Sequence, residues 1–365
     1  MNIYILVGTR PNFIKITQFK TLCKKHYNNI KLTIVHTGQH SQENMSSVFF
    51  NQFNLIPDYY LNISNNSPNQ QIAEIMVRLE ELCATNGKPD WLLVPGDVNS
   101  TLAGALFANK SGIKLGHIEA GLRSHDRTMP EEFNRILTDQ LSNLFFVTEE
   151  SAIKNLIHEG FPEKNIHFVG NTMIDTLTAF DSQIEESQIL NELTINDKNF
   201  VLMTLHRPAT VDNLAGLNKL FELLDYLTNE YNIIFPIHPR TINNIKNLGL
   251  NQRLENFPNL IKTEPLNYFS FQKLVKTCSF ILTDSGGIQE EAAFLFKPCI
   301  VCRKKTERHE GLNIFSWLCK SPNELSYLFE LLKNHEIDKN NICPYGDGYA
   351  SEKIFHIMKE IISNE

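Results

Sequence analysis

The sequence predicts an α/β protein built from two doubly wound parallel-sheet domains with a ligand cleft between them. Three observations carry that prediction. Short β-branched or aromatic runs alternate with amphipathic helical stretches, the pattern of parallel strands covered on both faces. The alternation occurs as two successive series. The chain has 365 residues, and at about 150 residues per domain that is enough for roughly two domains.

In the first series the expected strands are Ile3–Val7, Leu32–His36, Trp91–Val94, Leu115–Glu119, Leu144–Val147 and Ile166–Val169. Helical periodicity covers Pro11–Lys24, Gln70–Cys83 and Glu131–Leu141 between them. The second series offers Phe200–Leu205, Ile233–His238, Leu260–Lys262, Phe280–Thr283 and Cys299–Val301 as strands. The boundary is expected between Val169 and Asn199, where Thr176–Leu193 is helical and acidic and Ile195–Asn199 reads as a linker. The division adopted is 1–170, 171–347 and a C-terminal helix over 348–365.

Composition excludes several classes. At 42% hydrophobic and 21% charged residues the chain is neither disordered nor a small disulfide scaffold. A formal charge of −7 without a long basic run argues against nucleic-acid binding. The N-terminal residues show no secretory leader, and no run of about 18 apolar residues predicts a membrane span. A cytoplasmic location is the expectation. The seven cysteines are scattered. Cys299 and Cys302 sit in an apolar strand, where i and i+3 face opposite sides, so no metal and no redox cofactor is expected and the thiols are read as reduced.

In open parallel sheets ligands gather at the carboxyl ends of strands, and the residues there are unusually polar. Gly8-Thr9-Arg10-Pro11-Asn12 follows the first strand, with Lys15 one turn on. Arg10 and Lys15 could hold an anion, or be surface cations of an ordinary turn. Asp97 follows a very apolar strand, as a strand-end carboxylate or as a turn residue. Alternation puts His117 and Glu119 on one face of their strand. Glu131 and Glu132 open a helix, where they could serve chemistry or complement the helix dipole. His206-Arg207 and His238-Pro239-Arg240 end two strands of the second series. The strongest local signal is Asp284-Ser285-Gly286-Gly287 running into a helix that carries Glu291. Small residues let the backbone approach a ligand and the free N–H groups face a phosphate. Glu291 could accept hydrogen bonds from a diol. Ser285 as a plain N-cap is the alternative.

These motifs, taken in order with Gly38-Gln39-His40, Glu119-Ala120-Gly121-Leu122-Arg123, Pro130-Glu131-Glu132 with Asn134-Arg135, Gly170-Asn171, Thr306-Glu307-Arg308 and Pro344–Gly348, resemble the non-hydrolysing UDP-N-acetylglucosamine 2-epimerases. The resemblance implies two Rossmann-like domains in a glycosyltransferase-B-like fold, with the C-terminal helix packing back on the N-terminal domain. It implies C2 epimerisation of UDP-GlcNAc to UDP-ManNAc for surface polysaccharide synthesis, without a cofactor, by a homodimer. Asp97, Glu119, Glu131 and His206 match the family's catalytic positions. Arg10, Lys15, Arg135, His238, Ser285, Gly286, Gly287, Glu291 and Arg308 match substrate-binding ones, with Glu291 on the ribose.

The chain departs from the family at two places. Gln39-His40-Ser41-Gln42-Glu43-Asn44-Met45 is wider than the Gln-His-x-x-Met of activator-dependent members, and Ser67–Gln71 offers no Arg. This spacing is closer to branches acting on modified UDP-sugars such as UDP-2,3-diacetamido uronates. His309 stands where the family has Pro, and the following loop is shorter. The alternatives are therefore an epimerase of a modified UDP-2-acetamido sugar and a non-catalytic UDP-sugar binding protein.

Overall fold

The computed structural model describes residues 1–38, 52–64, 67–195, 199–333 and 337–364. The apolar runs become strands, the central ones buried on both faces. In the first unit, Met1–Ala179 with Tyr345–Glu365, these are β1 (Asn2–Val7), β2 (Lys31–His36), β3 (Tyr59–Tyr60), β4 (Trp91–Pro95), β5 (Lys114–Ile118), β6 (Leu144–Val147) and β7 (Ile166–Phe168). They form one parallel sheet in the order β3-β2-β1-β4-β5-β6-β7. Ile5, Leu6, Leu93 and Val94 have at most 1% of their surface exposed. One face packs on the helices Pro68–Asn86 and Asn99–Ser111 through Ile75, Leu79, Ala103 and Phe107. Helix Pro68–Asn86 starts two residues before the expected Gln70, with Ser67 capping Gln70 N and Pro68 at the first position. The helix Ala350–Asn364 belongs to this unit, its first turn held by the buried Asp175, which accepts from Ala350 N and Ser351 N.

The second unit spans Phe180–Pro344. Its strands are β8 (Phe200–Thr204), β9 (Asn232–Pro236), β10 (Leu260–Thr263), β11 (Phe280–Thr283), β12 (Cys299–Val301) and β13 (Ser316–Leu318). The order is β10-β9-β8-β11-β12-β13, again all parallel. Val201, Met203, Phe221, Leu224, Phe235 and Leu282 form its main core. In each sheet the chain direction of strand addition reverses once, between β1 and β4 and between β8 and β11. Such a switch point leaves a crevice at the carboxyl ends of the two central strands. The α/β class and the two doubly wound sheets are as expected.

Several elements differ from the sequence expectation. The helix expected over Pro11–Lys24 is two helices, Arg10–Ile14 and Phe19–His26. The buried Thr176 hydroxyl donates to the Ile14 carbonyl and contacts Thr17, a tertiary competitor for the helical bond. The stretch Thr176–Leu193 divides into parts of three helices, Thr172–Ala179, Asp181–Glu185 and Ile189–Glu192. Its acidic part belongs to the second unit, where Lys276 pairs with Asp181 and Lys273 with Glu185. Of the edge strands, β3 and β13 are too short to show a period in sequence. Strand β5 ends at Ile118 rather than Glu119, and β9 at Pro236 rather than His238.

Candidate active site

In the first unit the switch point is built from three turns. After β1, the buried Asn12 side chain ties the loop together. Its Oδ1 accepts from Thr9 N and Thr9 Oγ1 at 3.2 and 3.0 Å, and its Nδ2 donates to Pro95 O at 2.9 Å. This pins the loop after β1 to the end of β4. The short helix that follows leaves Arg10 exposed and buries Lys15.

After β4 comes Gly96 with φ 73°, a left-handed conformation that favours glycine. A Cβ there would meet Lys15 Nζ at 2.9 Å, so the bare backbone also makes room for that ammonium. Asp97 follows. Arg135 Nη1 holds its carboxylate at 2.6 Å and Asn134 Nδ2 donates to its carbonyl at 2.9 Å. The Asp97 side chain remains 31% exposed, so one carboxylate is both aimed and accessible.

After β5 the backbone turns at Glu119, which has φ 72°. A non-glycine residue there costs on the order of 1–3 kcal/mol and persists only when its surroundings over-determine it. They do. Glu119 N and Ala120 N both donate to Phe146 O, at 2.9 and 3.1 Å. The buried Glu132 carboxylate accepts from Ser124 N, Ser124 Oγ and His125 N, each at 2.9 Å. The alternation expected for His117 and Glu119 therefore stops at Ile118. The turn aims the Glu119 carboxylate at Lys15 Nζ, with which it forms a buried ion pair. Burial would raise the Glu132 carboxyl, but the Ser124 and His125 donors and Arg135 hold it below the ordinary carboxylate range. Arg135 Nη2 reaches Glu132 at 3.0 Å, so Arg135 bridges Asp97 and the loop of Glu119. Glu131 is exposed on the first turn of helix Pro130–Leu141.

In the second unit β8 and β11 lie side by side, with Thr204 opposite Thr283 and their hydroxyls 2.7 Å apart. Asp284, fully buried, accepts from His206 N at 3.0 Å and Arg207 N at 2.9 Å, and lies 3.3 Å from His206 Nδ1. The His206 ring is 6.0 Å from that of His238, between centroids. Partial burial, His206 and Arg240 together lower the His238 pKa. Its Nδ1 accepts from Arg240 N at 3.2 Å and caps helix Pro239–Asn247.

Ser285 is the N-cap of helix Gly286–Phe294 without a side-chain cap bond. A Cβ at Gly286 would lie 2.6 Å from Glu307 Oε1. Burial opposes ionisation of Glu307, but Arg308 and Arg303 outweigh it and bring its pKa down to about 2. Arg308 is itself buried, with Nε 2.8 Å from Glu290 Oε1. Further along the helix, the buried Glu291 is pushed up to about 7 by desolvation, which a hydrogen bond with Gln272 only partly offsets. Its Oε1 has no hydrogen-bond partner among the described residues.

The structure thus brings Lys15, Asp97, Glu119 and Arg135 together in one unit. In the other it gathers His206 with His238, and Ser285, Gly286, Gly287 and Glu291 along one helix, with Arg308 against Glu290 of that helix. Arg10 and Glu131 are exposed in the same unit as the first group. Gln39–Met45, with the activator-type motif, lie outside the described residues. Sequence reasoning missed Asn12, Asp284 and Glu307 and left Glu132 open; all four hold site residues by buried hydrogen bonds or packing. Each lies within a quoted motif, but nothing in a single sequence says which carboxylate of Glu131-Glu132 turns inward. Of the free thiols expected in this strand, Cys299 opens β12 and Cys302 lies just beyond its end; burial pushes Cys299 up, and a hydrogen bond with Cys319 together with burial pushes Cys302 up.

Comparison with known proteins bears on this geometry. Residues 23–359 match a family model described as UDP-N-acetylglucosamine 2-epimerase. The UDP-N-acetylglucosamine 2-epimerase of Methanococcus maripaludis is 42% identical over 97% of both chains. The UDP-2,3-diacetamido-2,3-dideoxy-D-glucuronate 2-epimerase of Pseudomonas aeruginosa is 37% identical over 99% of this chain and all of its own. Among solved structures, Methanocaldococcus jannaschii UDP-GlcNAc 2-epimerase in complex with UDP-GlcNAc and UDP superposes with a TM-score of 0.89 at 38% identity. That match covers 99% of this chain and 100% of the other.

Proposed function

The chain belongs to the UDP-N-acetylglucosamine 2-epimerase family, and from that premise we propose that it interconverts UDP-GlcNAc and UDP-ManNAc without hydrolysis, in surface polysaccharide synthesis. The observation that carries this reading is a pair of strand-end carboxylates on neighbouring strands, each held by a buried cation: Asp97 by Arg135 and Glu119 by Lys15. Moving a weakly acidic carbon-bound proton needs a positioned base, and returning it to the opposite face needs a second acid. In the proposed reaction the C2 proton passes to a carboxylate as the C1–O bond to UDP breaks. The electron pair of the C–H bond becomes the C1=C2 bond of a 2-acetamidoglucal, and UDP leaves with the pair of the C1–O bond. Protonation of C2 from the other face and re-addition of UDP at C1 complete the inversion. Asp97, Glu119 and Glu131 share the proton traffic.

His206, steadied by Asp284, donates to the departing diphosphate. Arg10, Lys15 and the start of helix Gly286–Phe294 stabilise its charge. Such preorganised donors contribute several kcal/mol where charge develops. Glu291 accepts from the ribose hydroxyls, while Arg135, His238 and Arg308 complete the substrate contacts. A homodimer is proposed on the family pattern, and a mass measurement in solution tests it.

A second reading rests on the Pseudomonas relative, whose printed substrate is a UDP-2,3-diacetamido uronate. Proton NMR in D2O with each UDP-sugar separates the two. Deuterium at C2 and an equilibrium with the C2 epimer identify the substrate. Free ManNAc would move the protein to the hydrolysing class, and binding without exchange of either sugar would defeat the catalytic reading.

A further inference from the structure

A buried cluster behind Asp97 and Glu119 has no part in the mechanism above. His117, on β5, is 0% exposed. Its Nε2 lies 2.8 Å from the Gly96 carbonyl oxygen and its Nδ1 2.6 Å from Asp139 Oδ1. The second oxygen of Asp139 accepts from Gly121 N at 3.1 Å and lies 2.7 Å from Arg123 Nη2. Arg123 continues to Glu159 at 2.7 Å. Burial alone would raise the Asp139 carboxyl, but His117 and Arg123 outweigh it and hold it below the ordinary range. A carbonyl oxygen and an ionised carboxylate only accept hydrogen bonds. The His117 Nε2 therefore donates to the Gly96 carbonyl oxygen.

We propose that His117, aimed by Asp139, is the positioning residue that locks the Gly96–Asp97 turn to the Glu119 loop, an inference that rests on the roles given above to those two carboxylates. One buried carboxylate reaches both turns. It holds Gly121, two residues beyond Glu119, directly, and it holds Gly96, immediately before Asp97, through the imidazole. The backbone bond from Gly96 N to Ile118 O, 2.9 Å, makes the third side of the same frame. On the far side of Gly96 stands the Lys15–Glu119 pair. A cluster of three buried ionisable side chains, His117, Asp139 and Arg123, closed by the exposed Glu159, is a poor source of stability compared with apolar packing. What it specifies is geometry: two carboxylates on separate strands must approach one carbon from fixed directions. Displacement of a catalytic group by about 1 Å costs on the order of 100-fold in rate.

The test is kinetic, on the full chain. His117→Asn keeps an amide near the Nδ1 position, facing Asp139, and loses the donor to Gly96. His117→Gln returns a donor near the Nε2 position. Turnover is expressed per UDP-binding site, counted by titration with UDP, so misfolded protein does not enter the rate. His117→Asn is expected to lower kcat per site roughly 100-fold with UDP affinity within about twofold of the parent. His117→Gln is expected to recover at least about tenfold of that loss. Equal kcat per site in parent and His117→Asn overturns the proposal and leaves the epimerase reading standing. Absence of C2 exchange in the parent protein defeats the epimerase reading itself. Should both variants fail to fold, the nitrogen-15 histidine spectrum of the parent at pH 7.5 decides. Hydrogen on His117 Nε2, which faces the Gly96 carbonyl oxygen, is the expected result, and a bare Nε2 sinks the frame.

Discussion

Asp97 and Glu119 are held differently, and the difference sets what their substitution does. Asp97 is partly open and gripped by Arg135, whereas Glu119 is buried against Lys15 in a left-handed turn. Asp97→Asn and Glu119→Gln are each expected to cut kcat by about 10²–10⁴ while leaving UDP affinity nearly unchanged in a direct binding titration. Retained turnover in both variants would overturn the assignment. Glu291 makes the opposite prediction, because its proposed role is binding. In the free protein its pKa of about 7 lies above the ordinary 4.5. Stability from the protonated form is thus fully present below pH 4.5 and lost as pH rises through 7. Ribose hydroxyls donating to the ionised form reverse the bias, so UDP binding expels a proton below pH 7 and affinity climbs up to that pH. Glu291→Gln should flatten this profile and weaken binding. It should also stabilise the free protein at pH 8 by about 3 kcal/mol, following 1.36 kcal/mol per pKa unit. Calorimetry in buffers of different ionisation enthalpy reads the proton, and denaturant titration reads the stability.

Two helices carry the next scale. Helix Gly286–Phe294 must begin with a residue lacking a side chain, because Glu307 occupies the space and is itself anchored by Arg303 at 2.8 Å. Gly286→Ala is expected to push the helix start away from Glu307, with a stability loss of about 1–3 kcal/mol and at least tenfold weaker UDP binding, roughly one lost 1.4 kcal/mol increment. Unchanged UDP affinity would mean that this helix start does not carry the diphosphate. Helix Ala350–Asn364 depends on a cap that lies 175 residues away in sequence. Asp175→Ala removes the acceptor for Ala350 N and Ser351 N. It should cost about 1–2 kcal/mol, seen as a lower unfolding midpoint, with Asp175→Asn losing less because one acceptor remains.

For the molecule as a whole, the two tryptophans fall conveniently. Trp91 lies on β4 of the first unit and Trp317 on β13 of the second, both at most 6% exposed. The proposed UDP contacts concentrate in the second unit. Excess UDP at 100 times its Kd adds about 2.7 kcal/mol to whatever unfolds with the site. In Trp91→Phe and Trp317→Phe variants, each followed by its remaining indole, UDP is therefore expected to raise the midpoint reported by Trp317 more than that reported by Trp91. Equal shifts would mean that the units unfold together or that the first unit supplies as much of the binding energy.

The α/β class, the two parallel sheets and most strand positions follow from the sequence alone, because hydrophobic periodicity and turn residues are local signals. Gly96-Asp97, Ser285-Gly286-Gly287 and the strand-end histidines were legible for the same reason: a polar residue directly after an apolar run marks the carboxyl end of a strand. Breaks in regular structure were not legible. Thr176 interrupts the first helix from across the unit, and Glu119 adopts φ 72° because Phe146, Glu132 and Asp139 hold its loop from other elements. The supporting acids Glu132, Asp139 and Asp284 lie in or near the recognised motifs, yet what they do depends on partners up to 78 residues away. Local sequence determines which residues stand at the end of a strand. Only the tertiary structure decides which buried donor or cation aims them, because that choice is made by groups distant in the chain competing for the same few hydrogen bonds.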